Sequence, residues 1–294
     1  MSRAASTVGG EDWPNRAASR FLRAAGLDWH VQQFGAGPVL LLVHGTGAST
    51  HSWREVAPLL GEHFSVVVPD LPGHGLTAAP AFSEFSLPAM ARALGALLAQ
   101  LGLAPALAVG HSAGAAILVR MALDGLIAPQ LLISVNGALL PLEGLPGWLF
   151  APLARVLARS SVVPRWMARR AAGGAMVERL VADTGSQLDA TGVELYRQLA
   201  QRPGHVAAAL AMMANWDLAA LARDLPRLKT PLVLLTGSAD RTIAPASAQR
   251  VKALLPAARL VSLGPLGHLA HEERPREVAQ LVVELARASG VPAN

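Results

Sequence analysis

Two near-continuous apolar runs, Pro38–His44 and Phe64–Pro69, most constrain how this chain can fold. Each reads as a strand buried on both faces and ends in turn-forming residues, which calls for a sheet covered by helices on either side. The segments that follow alternate in the same way. Helical spacing over Leu87–Leu101 precedes a strand at Ala106–Val109. A helix then runs from about Ser112 to Leu123, and a strand from Leu131 to Val135. Two further strands are predicted at Leu232–Thr236 and Arg259–Leu263, with a last helix from Pro275 to about Ala288. Near the start, Phe21–Ala24 and Leu27–Phe34 read as an antiparallel pair turning at Ala25-Gly26. The expected fold is therefore α/β, a mostly parallel eight-stranded sheet with helices on both faces.

Residues 139–227 break this rhythm, with several helical patterns and no good strand. They are read as a helical lid inserted after the sixth strand, with 1–138 and 228–294 forming the core. Hydrophobic residues make up 52% of the 294 and charged residues 15%, ample for a core of that size. The chain has no cysteine, which excludes disulfides, zinc–thiolate sites and thiol nucleophiles and fits a reducing cytoplasm. The formal charge of +5 raises nucleic-acid binding. Sparse aromatics and the lack of a long basic run argue against it. Residues 1–20 contain no apolar signal stretch, and Leu87–Val109 is too interrupted to span a bilayer. The expectation is a cytoplasmic protein.

Gly110-His-Ser-Ala-Gly114 directly follows a strand and opens a helix. A serine on that turn is forced into a strained conformation that lifts its hydroxyl clear of the sheet, and the glycines let strand and helix approach. The pattern arises by chance in about one chain in seven of this composition, so its strand-to-helix setting carries the assignment. Asp240, after the seventh strand, and His268, after the eighth, complete the order Ser, acid, His at the carboxyl edge of the sheet. Ser112 would be the nucleophile, His268 its base, and Asp240 the group that holds the imidazole tautomer. His44-Gly-Thr-Gly47 follows the third strand and should donate the N–H of Thr46 or Gly47, alongside that of Ala113, to a developing oxyanion. His44 and His74 read as structural. His111 either packs or touches substrate. His268-x-x-His271-Glu272 has only a loose metal spacing, and neither a metal nor a cofactor is expected.

These stretches, with Asp70-Leu-Pro-Gly-His-Gly75, resemble the α/β-hydrolase fold family across residues 20–290. More narrowly, Trp13-Pro-Asn-Arg16, residues 44–53, Met212-Met-Ala-Asn-Trp-Asp217 and residues 267–275 resemble the magnesium-chelatase accessory proteins of bacteriochlorophyll synthesis. That resemblance implies a setting in tetrapyrrole synthesis, near magnesium insertion into protoporphyrin IX, with chelatase subunits as partners. It supplies no reaction. A serine at position 112, where dehalogenases and epoxide hydrolases carry a carboxylate, argues against their alkyl-transfer chemistry.

Between Ala151 and Leu180 the lid has six arginines, including Arg155 and Arg159 four apart, against one acid, Glu178. Aromatic residues are interleaved with them. Three readings stay open: a solvated basic face, contact with an anionic membrane surface such as the inner membrane, or a site for the carboxylates of an apolar porphyrin. Trp216, where the lid rejoins the core, either lines the pocket or packs in the core. Three functions follow: a serine hydrolase acting on an apolar substrate, a porphyrin-binding accessory with a vestigial triad, or a membrane-attached chelatase partner.

Overall fold

The computed structural model describes residues 13–141, 159–160, 162–173 and 175–292. Eight strands form one sheet in the order β1-β2-β4-β3-β5-β6-β7-β8. Strands β1 (Ser19–Ala24) and β2 (Leu27–Phe34) pair antiparallel, and β2 joins β4 (Ser65–Pro69) in the same sense. From β4 onward every pairing is parallel, through β3 (Val39–Val43), β5 (Leu107–His111), β6 (Leu131–Val135), β7 (Leu232–Thr236) and β8 (Arg259–Ser262). The predicted strands are all present, with boundaries moved by one or two residues.

The apolar runs are continuous because both faces of the sheet are covered. Leu40, Leu42, Val66, Val68, Val109, Ile133 and Leu235 point to one side, where α1 (Val56–Gly61) and α11 (Pro275–Ala288) bury them. Leu41, Val43, Val67, Ala108, Leu132 and Leu234 point to the other, against α2 (Leu87–Leu101) and α3 (Ala113–Leu123). This period-two split is what a two-layered helical cover requires of a parallel strand.

Between β6 and β7 lie α4 (Val162–Ala171), α5 (Ala175–Asp183), α6 (Ala190–Ala200), α7 (Pro203–Asn215) and α8 (Ala219–Asp224), with no strand among the described residues there. Helix α7 turns its buried face (His205, Ala208, Ala211, Met212) toward the carboxyl edge of the sheet. Helices α9 (Ala246–Leu254) and α10 (Ala270–Glu273) complete the set. No single helix among the described residues is long and apolar enough to cross a membrane.

The turn after β4 is anchored on Asp70, whose carboxylate is fully buried. Its Oδ1 accepts from the Thr50 N–H at 2.6 Å, and its Oδ2 from His30 Nδ1 at 2.7 Å and the Leu76 N–H at 2.8 Å. Burial alone would raise its pKa, but the His30 contact and the surrounding donors outweigh it and hold the carboxyl well below the ordinary range. Removing one partner of such a buried set typically costs about 3–5 kcal/mol. Asp70→Ala is therefore expected to lower unfolding free energy in urea by that amount, and a loss below about 1 kcal/mol would contradict this reading.

Candidate active site

Ser112 lies between β5 and α3 with φ 51° and ψ −118°, a backbone conformation that non-glycine residues rarely adopt. The flanking glycines make the turn possible. A Cβ at Gly110 would stand 2.5 Å from the Ala115 nitrogen, and one at Gly114 would stand 2.3 Å from the Val43 carbonyl oxygen. The serine thus opens α3, whose amide ends favour negative charge.

The loop after β3 runs directly against this turn. A Cβ at Gly45 would lie 2.9 Å from Ser112 Cβ and 3.1 Å from His111 Nδ1. Among the described residues, the backbone N–H groups of Thr46, Gly47 and Ala113 donate to no protein acceptor. They remain available to an oxygen bound beside Ser112. His44 is buried beneath the loop, where its Nε2 accepts from the Leu71 N–H at 2.9 Å and its Nδ1 donates to the Gly45 carbonyl at 2.8 Å.

Asp240 and His268 meet at the same edge. His268 Nδ1 donates to Asp240 Oδ2 at 2.8 Å, while Asp240 Oδ1 accepts from the Thr242 and Ile243 N–H groups at 2.8 and 2.9 Å. A carboxylate held by three donors fixes the imidazole with its Nε2 free to accept a proton. No hydrogen bond joins Ser112 to His268 among the described residues; such bonds commonly tighten only when substrate is bound.

His111 is buried and donates through Nε2 to the His268 carbonyl at 2.9 Å. His271 stacks between it and Trp53, with ring centroids 4.5 and 4.4 Å apart. Burial holds the His111 imidazole well below the ordinary histidine range and pushes His271 down to about 3. Trp216 is half-buried against the core cluster that contains α2 and α3, and its indole N–H has no partner among the described residues. Arg159 is exposed with its guanidinium 4.8 Å over the Phe82 ring. Arg155 lies outside the described residues.

Several contacts at this edge carried no signal in the sequence. His205, within an Ala-rich helix, bridges the Gly47 carbonyl at 3.0 Å and the Gly75 N–H at 3.1 Å, so α7 grips the loop beside Ser112. Burial lowers its pKa to about 4 and keeps it neutral. Thr46 donates to Met212 Sδ of the same helix at 3.4 Å. The segment between α5 and α6 threads against both loops: Ser186 Oγ accepts from the Leu269 N–H at 2.8 Å, and a Cβ at Gly267 would lie 2.4 Å from Gly185 carbon. Buried Glu272 receives Arg54 at 2.6 Å and the Tyr196 hydroxyl of α6 at 2.7 Å. Burial nevertheless lifts its carboxyl to about 7.

Residues 40–281 match the family model described as the alpha/beta hydrolase family. The chain is 40% identical over 263 residues to the "Magnesium-chelatase 30 kDa subunit" of Rhodobacter capsulatus, covering 89% of this chain and 92% of that protein. It is 26% identical to the 2-hydroxy-6-oxo-2,4-heptadienoate hydrolase of Pseudomonas putida, over 93% of this chain and 98% of the other. A solved alpha/beta hydrolase fold protein from Burkholderia ambifaria superposes with a TM-score of 0.76 at 26% identity, covering 91% and 97% of the two chains.

Proposed function

We propose that this chain, which belongs to the alpha/beta hydrolase family, is a serine hydrolase that uses Ser112, His268 and Asp240 on an apolar substrate. The observation that carries the reading is the Asp240–His268 pair, 2.8 Å apart at the sheet edge where Ser112 sits on its strained turn. In this scheme Ser112 Oγ attacks a carbonyl carbon as His268 Nε2 takes its proton. Asp240 steadies the resulting imidazolium without accepting that proton. The N–H groups of Ala113 and of Thr46 or Gly47 receive the oxyanion. The imidazolium then protonates the leaving group, and water, deprotonated by the same imidazole, releases the acyl group from Ser112. The test is hydrolysis of activated esters across a range of acyl lengths, with Ser112→Ala as the control. No difference between the two proteins at any length would reject the proposal.

The relationship to a protein named as a magnesium-chelatase subunit supports a physiological setting as an accessory to that enzyme in bacteriochlorophyll synthesis, with chelatase subunits as partners. Helices α4–α8 would then act as the cap over the substrate, a role supported by the grip of α7 on the loop beside Ser112. One observation favours an anionic, flat, apolar ligand such as a porphyrin. Arg159 stacks on Phe82, and Trp166 lies exposed on α4 with Arg170 5.8 Å over its ring. Carboxylates paired with such arginines, and a macrocycle laid on the aromatics, would match both halves of the ligand. The same exposed face of α4 would suit an anionic membrane surface. Titration with protoporphyrin IX is expected to shift the ligand's absorbance, and Arg159→Glu to weaken binding by about tenfold, the loss of one charge-assisted contact. Equal affinity in the variant would remove Arg159 from the site.

A further inference from the structure

We infer that Asn136 is a positioning residue for the proposed hydrolase chemistry: its side-chain amide joins the acid loop to the histidine loop and so fixes where the His268 imidazole stands. The inference rests on the serine hydrolase reading above. Asn136 follows β6 directly, in the left-handed region at φ 46°, a conformation that asparagine tolerates better than most side chains. There its amide turns inward and is buried. Nδ2 donates to the Gly267 carbonyl at 2.9 Å and to the His268 carbonyl at 2.9 Å, while Oδ1 accepts from the Gly237 N–H at 2.9 Å.

Both amide hydrogens and the amide oxygen are therefore used. Gly237 begins the loop that delivers Asp240 three residues later; Gly267 and His268 are the histidine loop itself. One side chain spans the two. The His268 carbonyl also accepts from His111 Nε2, so both of its lone pairs are engaged, and the second donor comes from the residue next to Ser112. The loops that present Ser112, Asp240 and His268 are thus linked through the His268 carbonyl and the Asn136 amide together. Burial keeps the His111 ring neutral, and its bond to the carbonyl selects the tautomer with the proton on Nε2. Asn136 touches no reacting atom. Its effect reaches the chemistry through the backbone of His268, and backbone displacement of about an ångström is enough to cost on the order of a hundredfold in rate.

Two replacements separate positioning from folding. Asn136→Gly suits the positive φ and deletes the amide. Asn136→Asp keeps the shape and replaces both N–H donors with an acceptor facing two carbonyls. The first readout is the second-order rate at which a fluorophosphonate probe labels Ser112. It is expected to fall about a hundredfold in both variants, and kcat for an activated ester to fall in parallel while KM stays within about twofold. The second readout is the far-downfield proton resonance of the His268 Nδ1–H bonded to Asp240, expected to broaden or vanish in the variants. Asn136→Gly that loses thermal stability yet labels at the wild-type rate and keeps that resonance would overturn the inference. Failure of the wild-type protein to label would instead reject the hydrolase reading, and the resonance alone would then decide whether Asn136 holds the imidazole.

Discussion

Replacing Ser112 with alanine is expected to abolish hydrolysis of activated esters, lowering kcat by at least about four orders of magnitude. That corresponds to roughly 5 kcal/mol of lost transition-state stabilisation. The size follows from the division of labour at the site. In the proposed scheme His268 and Asp240 activate an oxygen on residue 112, and without that oxygen their arrangement would have nothing to act on. The N–H groups of Thr46 and Ala113 would still receive an oxyanion, so a residual rate above the uncatalysed reaction is expected. The substitution removes one atom from a turn whose shape depends on Gly110, Gly114 and Gly45, and alanine also strains at φ 51° as serine does. Folding should therefore be little changed, and a melting curve alongside the kinetics checks this. An alanine variant with more than about a tenth of wild-type activity would mean that the ester is cleaved elsewhere.

Acid is expected to unfold this protein early, because burial keeps most of its histidines neutral. His44, His51, His74, His111, His205 and His271 are all buried, and burial is the leading cause of the lowered pKa of each. A histidine with a depressed pKa in the folded state contributes stability that is complete above about pH 6.5 and is lost as pH falls, since the unfolded chain then takes up the proton first. For His205, lowered to about 4, and His271, lowered to about 3, the loss at pH 4 is roughly 3 kcal/mol each. Glu272 works in the opposite direction. Its carboxyl, lifted to about 7, gains stability as pH falls from 7 toward the usual carboxylate value, offsetting about one histidine. Below about pH 4, Asp70 adds to the loss, because its depressed pKa stabilises only the ionised form. Against a typical total of about 5–15 kcal/mol, the balance predicts a steep fall in urea midpoint between pH 7 and 4.5. Among the described residues His271 has no hydrogen-bond partner at either nitrogen, and it lies between two rings, so His271→Phe should flatten that slope by about one proton. A midpoint that is level or rises toward acid would contradict this assignment.

The sheet was legible because the physics that builds it is local in sequence. A strand covered on both faces must be apolar at every position, and Val39–Val43 and Ser65–Pro69 announce themselves that way. The turn at Ser112 was legible for the same reason, since two glycines and a serine within five residues are what the close approach of β5 and α3 demands. Asp240 and His268 followed from chain order and from the rule that loops at the carboxyl ends of parallel strands converge. Asn136 was not legible. An asparagine after a strand reads as ordinary turn chemistry, and its partners stand 101 to 132 residues away. His205 was hidden in the same way: it sits in an Ala-rich helix, and its contact with the Gly47 carbonyl spans 158 residues. Glu272 drew notice only through a loose metal spacing beside His271. Its partners Arg54 and Tyr196 tie it to the rest of the molecule instead. Among the arginines of residues 139–227, sequence could count charges without showing which ring each one would meet; among those described, Arg159 stacks on Phe82, Arg170 on Trp166 and Arg202 on Trp13.

The central claim is that Ser112 is a nucleophile activated by His268. It is tested most directly by intact-protein mass after exposure to a fluorophosphonate probe, with the adduct mapped by peptide digestion. The wild-type protein is expected to gain one adduct, on the peptide containing Ser112, and Ser112→Ala to gain none. His268→Ala should label far more slowly than the wild type. A wild-type protein that stays unmodified, or an alanine variant that gains the same adduct, would contradict the account.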